Sequence, residues 1–351
     1  MPRILGVKIA KLRDKARKQL DRSTQLGLWL ESHFPRGSFS LKPASADASF
    51  RRYFRLDFAA ARPSLIVMDA PPPQEDCRPF VKVAALLEAA GVCAPKVLAQ
   101  DIDQGFLLLT DLGDTTYLAA INENNADALF NDALDALVLW QLASRPAILP
   151  PYDDALLRRE LALFPDWYVN RHLGVSLGAS QQQALGSIFD AIVSSNLAQP
   201  TVFVHRDYMP RNLMVCQPNP GVLDFQDAVC GPISYDVASL FKDAFLSWPE
   251  ERVLDWTVRY WQKAKKAGLP VRADFGDFYA ECEWMGLQRH LKILGIFARL
   301  NYRDGKADYL ADTPRFIRYI RDVASRYGRL KPLLLLLDEL ENISVKSGYT
   351  F

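Results

Sequence analysis

Asp207 stands five residues ahead of Asn212 in the stretch VFVHRDYMPRNLMV (202–215), and Asp224 follows twelve residues later in GVLDFQD (221–227). The apolar pieces around these polar residues are too short for helices and are broken by Pro and Gly, so they read as brief strands joined by loops. Singly, each polar residue is ordinary: Asp207 suits a surface turn, Asn212 a turn cap and Asp224 a bend at a strand end. Together their spacing asks for a common explanation. A carboxylate that accepts the proton of an attacking hydroxyl, beside amide and carboxylate oxygens that hold magnesium on a nucleotide's phosphates, is what phosphoryl transfer requires. Asp207 fits the first role; Asn212 and Asp224 fit the second.

Ahead of this stretch the pattern is mainly that of strands. Residues 38–42, 51–58 and 63–69 alternate or cluster β-favouring side chains, 78–90 repeats apolar residues at helical spacing up to Gly91, and 96–100 and 106–110 complete a small antiparallel sheet. Beyond Gly113 the periodicity becomes helical, over about 126–144, 154–171, 181–196, 234–246, 250–267 and 275–300, with two shorter helices near the end. Trp284, Leu287, Leu291, Leu294 and Phe297 form the buried stripe of the 275–300 helix. Ser234 is placed as an N-cap and Asp236 in the first helical turn, where its carboxylate suits the helix dipole and is also placed to accept N–H bonds from the loop of Asp207. The expected organisation is a basic N-terminal extension over 1–24, a sheet-based lobe over 25–112 and a helical lobe over 113–351.

A length of 351 residues accommodates two lobes, and a net charge of +1 argues against a nucleic-acid partner. The five cysteines are scattered and never spaced C-x-x-C, which points to free, mostly buried thiols in a reducing compartment and hence to the cytoplasm. No run is long enough to span a bilayer; the leucines at 333–337 are flanked by charge. The Lys- and Arg-rich stretch 3–22 reads as a solvated helix more readily than as a surface-binding one.

The loop H-x-D-x-x-x-x-N (205–212), the motif L-D-F (223–225) and G-P-x-x-x-D-x-A (231–238) resemble the aminoglycoside phosphotransferase/choline kinase-like family. The stretches ADASFRRYFR (46–55), VMDAPP (67–72), LTDLG (109–113), VLDFQDA (222–228) and MGLQRHLK (285–292) are most similar to the anomeric N-acetylmuramate/N-acetylglucosamine kinases of bacterial cell-wall recycling. The resemblance runs from about residue 24 to the C-terminus. It implies an α+β, two-lobed protein-kinase-like fold, ATP and Mg2+ as cofactors, and phosphorylation of an amino sugar at its anomeric hydroxyl. It further implies that His205 supports the loop through hydrogen bonds and does not take the proton.

The chain departs from the kinase pattern ahead of residue 70. No G-x-G-x-x-G occurs where the first two strands meet; the small residues 46–50, Ser49 among them, are expected to bring backbone N–H groups to phosphate. No lysine occupies the third strand, so Arg51 and Arg55 are the candidates for neutralising the phosphates. Backbone around Thr110 and Leu112 is expected to hydrogen-bond adenine. Arg211 is a candidate for the positive charge that family members carry two residues after the aspartate, where Met209 stands. Asp227, Gln288, Arg289 and His290, with Lys292 nearby, are the candidate sugar-binding residues. Two rivals stay open: a kinase for an aminoglycoside, choline or another small alcohol, and a nucleotide-binding pseudokinase. Retention of Asp207, Asn212 and Asp224 counts against the second.

Overall fold

The computed structural model describes residues 21–45, 50–59 and 62–347. Expectations placed on the basic stretch up to residue 20 and on 46–49, Ser49 included, lie outside them. The chain divides into two compact units, residues through Ala84 with Pro95–Leu112, and Ala85–Ala94 with Gly113 onward.

In the first unit, strands β1 (Phe39–Ser45), β2 (Arg52–Phe58), β3 (Leu65–Asp69), β4 (Val97–Asp101) and β5 (Phe106–Thr110) form an antiparallel sheet of order β1-β2-β3-β5-β4. The register sets Phe54 opposite Val67 and Val67 opposite Leu108, so period-2 alternation gathers one apolar face. That face packs on the helix Arg22–Glu31 through Leu26, Trp29 and Leu30. The expected boundary at residue 24 therefore falls inside a helix that belongs to the sheet's own core. Complete burial of Leu56 alone is worth about 1.5–3 kcal/mol. The turn before β5 needs Gly105, whose φ is 71° and where a Cβ would lie 1.9 Å from the Ala70 carbonyl oxygen.

The second unit is mainly helical, with long helices Ala126–Leu142, Ala179–Leu197, Glu250–Lys266, Phe275–Asp304, Thr313–Arg326 and Lys331–Ser347. Three local expectations change. The helix expected over 154–171 stops at Leu161 and continues as a wider π-helical turn, Phe164–His172. Pro165 has no N–H to give to the carbonyl four residues back, so the ordinary ladder cannot run through it. The helix expected over 234–246 is only Tyr235–Phe241. Ser234 does not cap it; its hydroxyl donates to Gln199 Oε1 at 2.6 Å. At Gly295, a Cβ would lie 2.3 Å from the Leu163 backbone, so the absent side chain lets the Phe275–Asp304 helix press against the segment leading into the π turn. Short pairs β6 (Thr201–Val204) with β9 (Val229–Pro232), and β7 (Leu213–Met214) with β8 (Gly221–Val222), frame the aspartate loop. Among the described residues, no helix is long and apolar enough to cross a membrane. All five cysteines are free; Cys77 and Cys282 are buried, whereas Cys93, Cys216 and Cys230 are half-buried.

Candidate active site

β6 delivers the chain to His205, and the loop that follows is fixed by its neighbours. Asp236, fully buried at the start of the Tyr235–Phe241 helix, accepts N–H bonds from His205 at 2.7 Å and Arg206 at 3.0 Å. Arg206 adopts φ 78°, a left-handed conformation that costs energy for a residue with a Cβ. Its carbonyl accepts from Arg289 Nη1 at 2.7 Å, and its guanidinium donates to Glu160 Oε1 at 2.6 Å. The strained residue is thus clamped at its N–H, its C=O and its side chain.

His205 is buried, and burial lowers its pKa despite the nearby carboxylates of Asp236 and Asp207. The Asp207 N–H points to its Nδ1 at 3.3 Å, and its Nε2 lies 2.9 Å from the Leu223 carbonyl. A neutral ring with the proton on Nε2 satisfies both contacts. Asp207 itself is half-buried, and no protein donor reaches its carboxylate among the described residues. Its carbonyl accepts from Asn212 Nδ2 at 2.9 Å. That bond turns the amide so that its oxygen is the end left for other partners. Asp224, at φ 61°, follows β8 and accepts from Gln226 Nε2 at 2.9 Å.

Beneath the loop lies a residue that sequence reasoning missed. Glu160 is 5% exposed and accepts from Tyr152 Oη, Arg206 Nη2, Gln288 Nε2 and Lys292 Nζ. Burial pushes its carboxyl up, but Lys292, Arg206 and the Tyr152 hydroxyl outweigh burial and bring it down to about 2. Three of the expected sugar-binding residues belong to the interior and not to a substrate face. Gln288 donates to Glu160 at 3.1 Å, Arg289 holds the Arg206 carbonyl and lies 4.8 Å from the Tyr235 ring, and His290 packs between Phe316 and Tyr319. All three are at most 5% exposed, so they support the loop or fill the core. Asp227 is exposed, and its carbonyl lies 3.4 Å from Arg206 Nη1.

The first unit rearranges the other expectations. Arg55 forks onto Asp111 at 2.6 and 3.1 Å, and Ser64 also donates to Asp111, so Arg55 has its charge matched within the unit. Arg51 precedes β2, with Glu75 3.8 Å away. Where the strand lysine is missing, buried Asp69 takes both Arg22, at 2.8 and 2.6 Å, and Arg52, at 3.0 Å. The Thr110 hydroxyl accepts from the Lys96 N–H at 2.9 Å, and Leu112 lies half-buried just beyond β5.

These features agree with what the chain is similar to. A Pseudomonas aeruginosa protein named N-acetylmuramate/N-acetylglucosamine kinase is 55% identical over 91% of this chain and 97% of its own length. A Neisseria meningitidis protein of the same name is 48% identical over 95% of this chain and all of its own length. Among solved structures, choline kinase from Cryptosporidium parvum superposes with a TM-score of 0.61 at 11% identity, covering 89% of this chain and 98% of that one; this likeness bears on the fold, which is two-lobed, kinase-like α+β. Residues 40–275 match the phosphotransferase enzyme family, and the chain belongs to that family as a small-molecule kinase.

Proposed function

We propose that this protein uses ATP and magnesium to phosphorylate N-acetylmuramate and N-acetylglucosamine at the anomeric hydroxyl, yielding sugar 1-phosphates for reuse of peptidoglycan sugars. The observation that carries this reading is identity above 50% to a kinase of that name across nearly that protein's whole length. In this reading Asp207 accepts the hydroxyl proton, and His205, Asp236 and Arg289 hold the loop that presents it. The ring oxygen makes the anomeric hydroxyl more acidic than the other hydroxyls, so a single carboxylate suffices as base.

The donor set suits magnesium: one carboxylate (Asp224) and one amide oxygen (Asn212), both hard oxygen ligands, leave positions for phosphate oxygens and water. Bound magnesium neutralises charge on the phosphates during transfer. Arg51 remains our candidate for a protein cation on those phosphates, with adenine held by backbone near Thr110 and Leu112.

Asp224→Ala is expected to abolish the strengthening of ATP binding by magnesium, as read by calorimetry with and without the metal. Equal strengthening in mutant and wild type would remove Asp224 from the metal site. The reaction itself is checked by its product. Reducing ends should disappear in step with ADP release, and phosphorus NMR should show coupling to the anomeric proton. A product that keeps its reducing end would place the phosphate elsewhere, and turnover only of choline or an aminoglycoside would replace the acceptor.

A further inference from the structure

A cavity of about 480 Å³ in the second unit is lined by Thr116, Arg211, Phe245, Asp308, Tyr309 and Asp312. Arg211 lies in the turn Pro210–Asn212, four residues after Asp207, so the two Cα atoms are at most about 14 Å apart. Its guanidinium lies 5.0 Å from the Phe245 ring, and no carboxylate reaches salt-bridge distance of it among the described residues. Arg211, the candidate for the positive charge of the aspartate loop, lines this cavity. Of the two acids present, Asp312 is paired with Arg315 at 3.2 Å, while Asp308 is exposed. The lining therefore combines aromatic rings, a carboxylate suited to accept from hydroxyls, and a guanidinium that no carboxylate reaches at salt-bridge distance among the described residues, buried Asp243 acting on it only from further off.

We infer that this cavity is the acceptor subsite and that Arg211 binds the lactyl carboxylate of N-acetylmuramate, the group N-acetylglucosamine lacks. The inference rests on the proposed amino-sugar reading. A guanidinium forks onto a carboxylate with two charge-assisted hydrogen bonds, a geometry that lysine does not reproduce. Tyr309 and Phe245 offer apolar faces to the pyranose, and Asp308 accepts from its hydroxyls. An acceptor with the carboxylate gains an interaction that the shorter sugar cannot make. Asp308 near the same cavity limits how strongly anions in general are drawn in, so the preference depends on the fork and not on diffuse charge.

The test compares kcat/KM for N-acetylmuramate, its lactyl methyl ester and N-acetylglucosamine in wild type, Arg211→Ala and Arg211→Lys. Because the three acceptors are measured on one preparation, any misfolded fraction cancels in their ratios. In wild type the acid should exceed its neutral ester; in Arg211→Ala that ratio should fall about tenfold or more, with partial recovery in Arg211→Lys. The ratio of N-acetylmuramate to N-acetylglucosamine should fall with it. Unchanged ratios, whatever the overall rate, would overturn the role of Arg211 while leaving the amino-sugar activity standing. Failure of the wild type to phosphorylate either amino sugar would overturn the underlying reading, and the subsite with it.

Discussion

Asp207→Asn is expected to lower kcat by about 10²- to 10⁴-fold while ATP affinity stays within a few-fold. The amide matches the carboxylate in shape, so the N–H contact to His205 and the Asn212 bond to the Asp207 carbonyl, both made by backbone atoms, are untouched. What is lost is the acceptor for the hydroxyl proton. In the native loop no protein donor competes for that acceptor among the described residues, so the deficit should appear in the chemical step and not in binding. Single-turnover measurement with saturating ATP reads that step directly. Retention of a third of wild-type turnover where chemistry limits would exclude Asp207 as the base.

Glu160→Ala is expected to be the most damaging substitution outside the loop itself. It removes the carboxylate that compensates Arg206 and Lys292, whose side chains are only 20% and 12% exposed. Breaking a buried pair in this way costs about 3–5 kcal/mol. In a unit of this size each kcal/mol moves Tm by roughly 2–4 °C, so a fall on the order of 10 °C should be seen by calorimetry. The pH dependence gives an independent check. The folded carboxyl sits at about 2 against an ordinary 4.5, so its stabilisation is fully present above pH 4.5 and is lost as pH falls through 2. That shift corresponds to roughly 3 kcal/mol. The gap in Tm between wild type and Glu160→Gln should therefore narrow steadily below pH 4.5. A gap independent of pH would mean that packing, and not charge, carries the role of Glu160.

The sequence made the aspartate loop readable because its geometry is local. His205, Asp207, Asn212 and Asp224 lie within twenty residues, and their relations follow from strand and turn spacing. Asp236 was readable for a similar reason, as the first acid of a helix that begins soon after. Glu160 was not: nothing near it in sequence announces a partner, and its role exists only once Arg206 and Lys292 fold over it. The polar cluster at 288–290 was expected to bind the sugar, whereas its residues are at most 5% exposed. At about 100° per residue, His290 falls between Phe297 and Leu294, and Gln288 between Trp284 and Met285. A helix apolar on nearly every side is buried on nearly every side, and polar residues within it belong to internal networks. Arg55 was legible as a cation of the second strand and was expected on the phosphates, but its partner Asp111 is a neighbour only across the folded sheet.

The imidazole of His205 acts as a spacer of fixed width. One nitrogen meets the N–H of Asp207 and the opposite nitrogen meets the carbonyl of Leu223, the residue before Asp224. A rigid five-membered ring thereby sets the separation between the two strands of backbone that carry the proposed base and the proposed metal ligand. A second proton on the ring would set donor against donor at Asp207 and push those backbones apart. Burial, which disfavours that proton, thus keeps the gauge constant while the acidity of the surroundings changes.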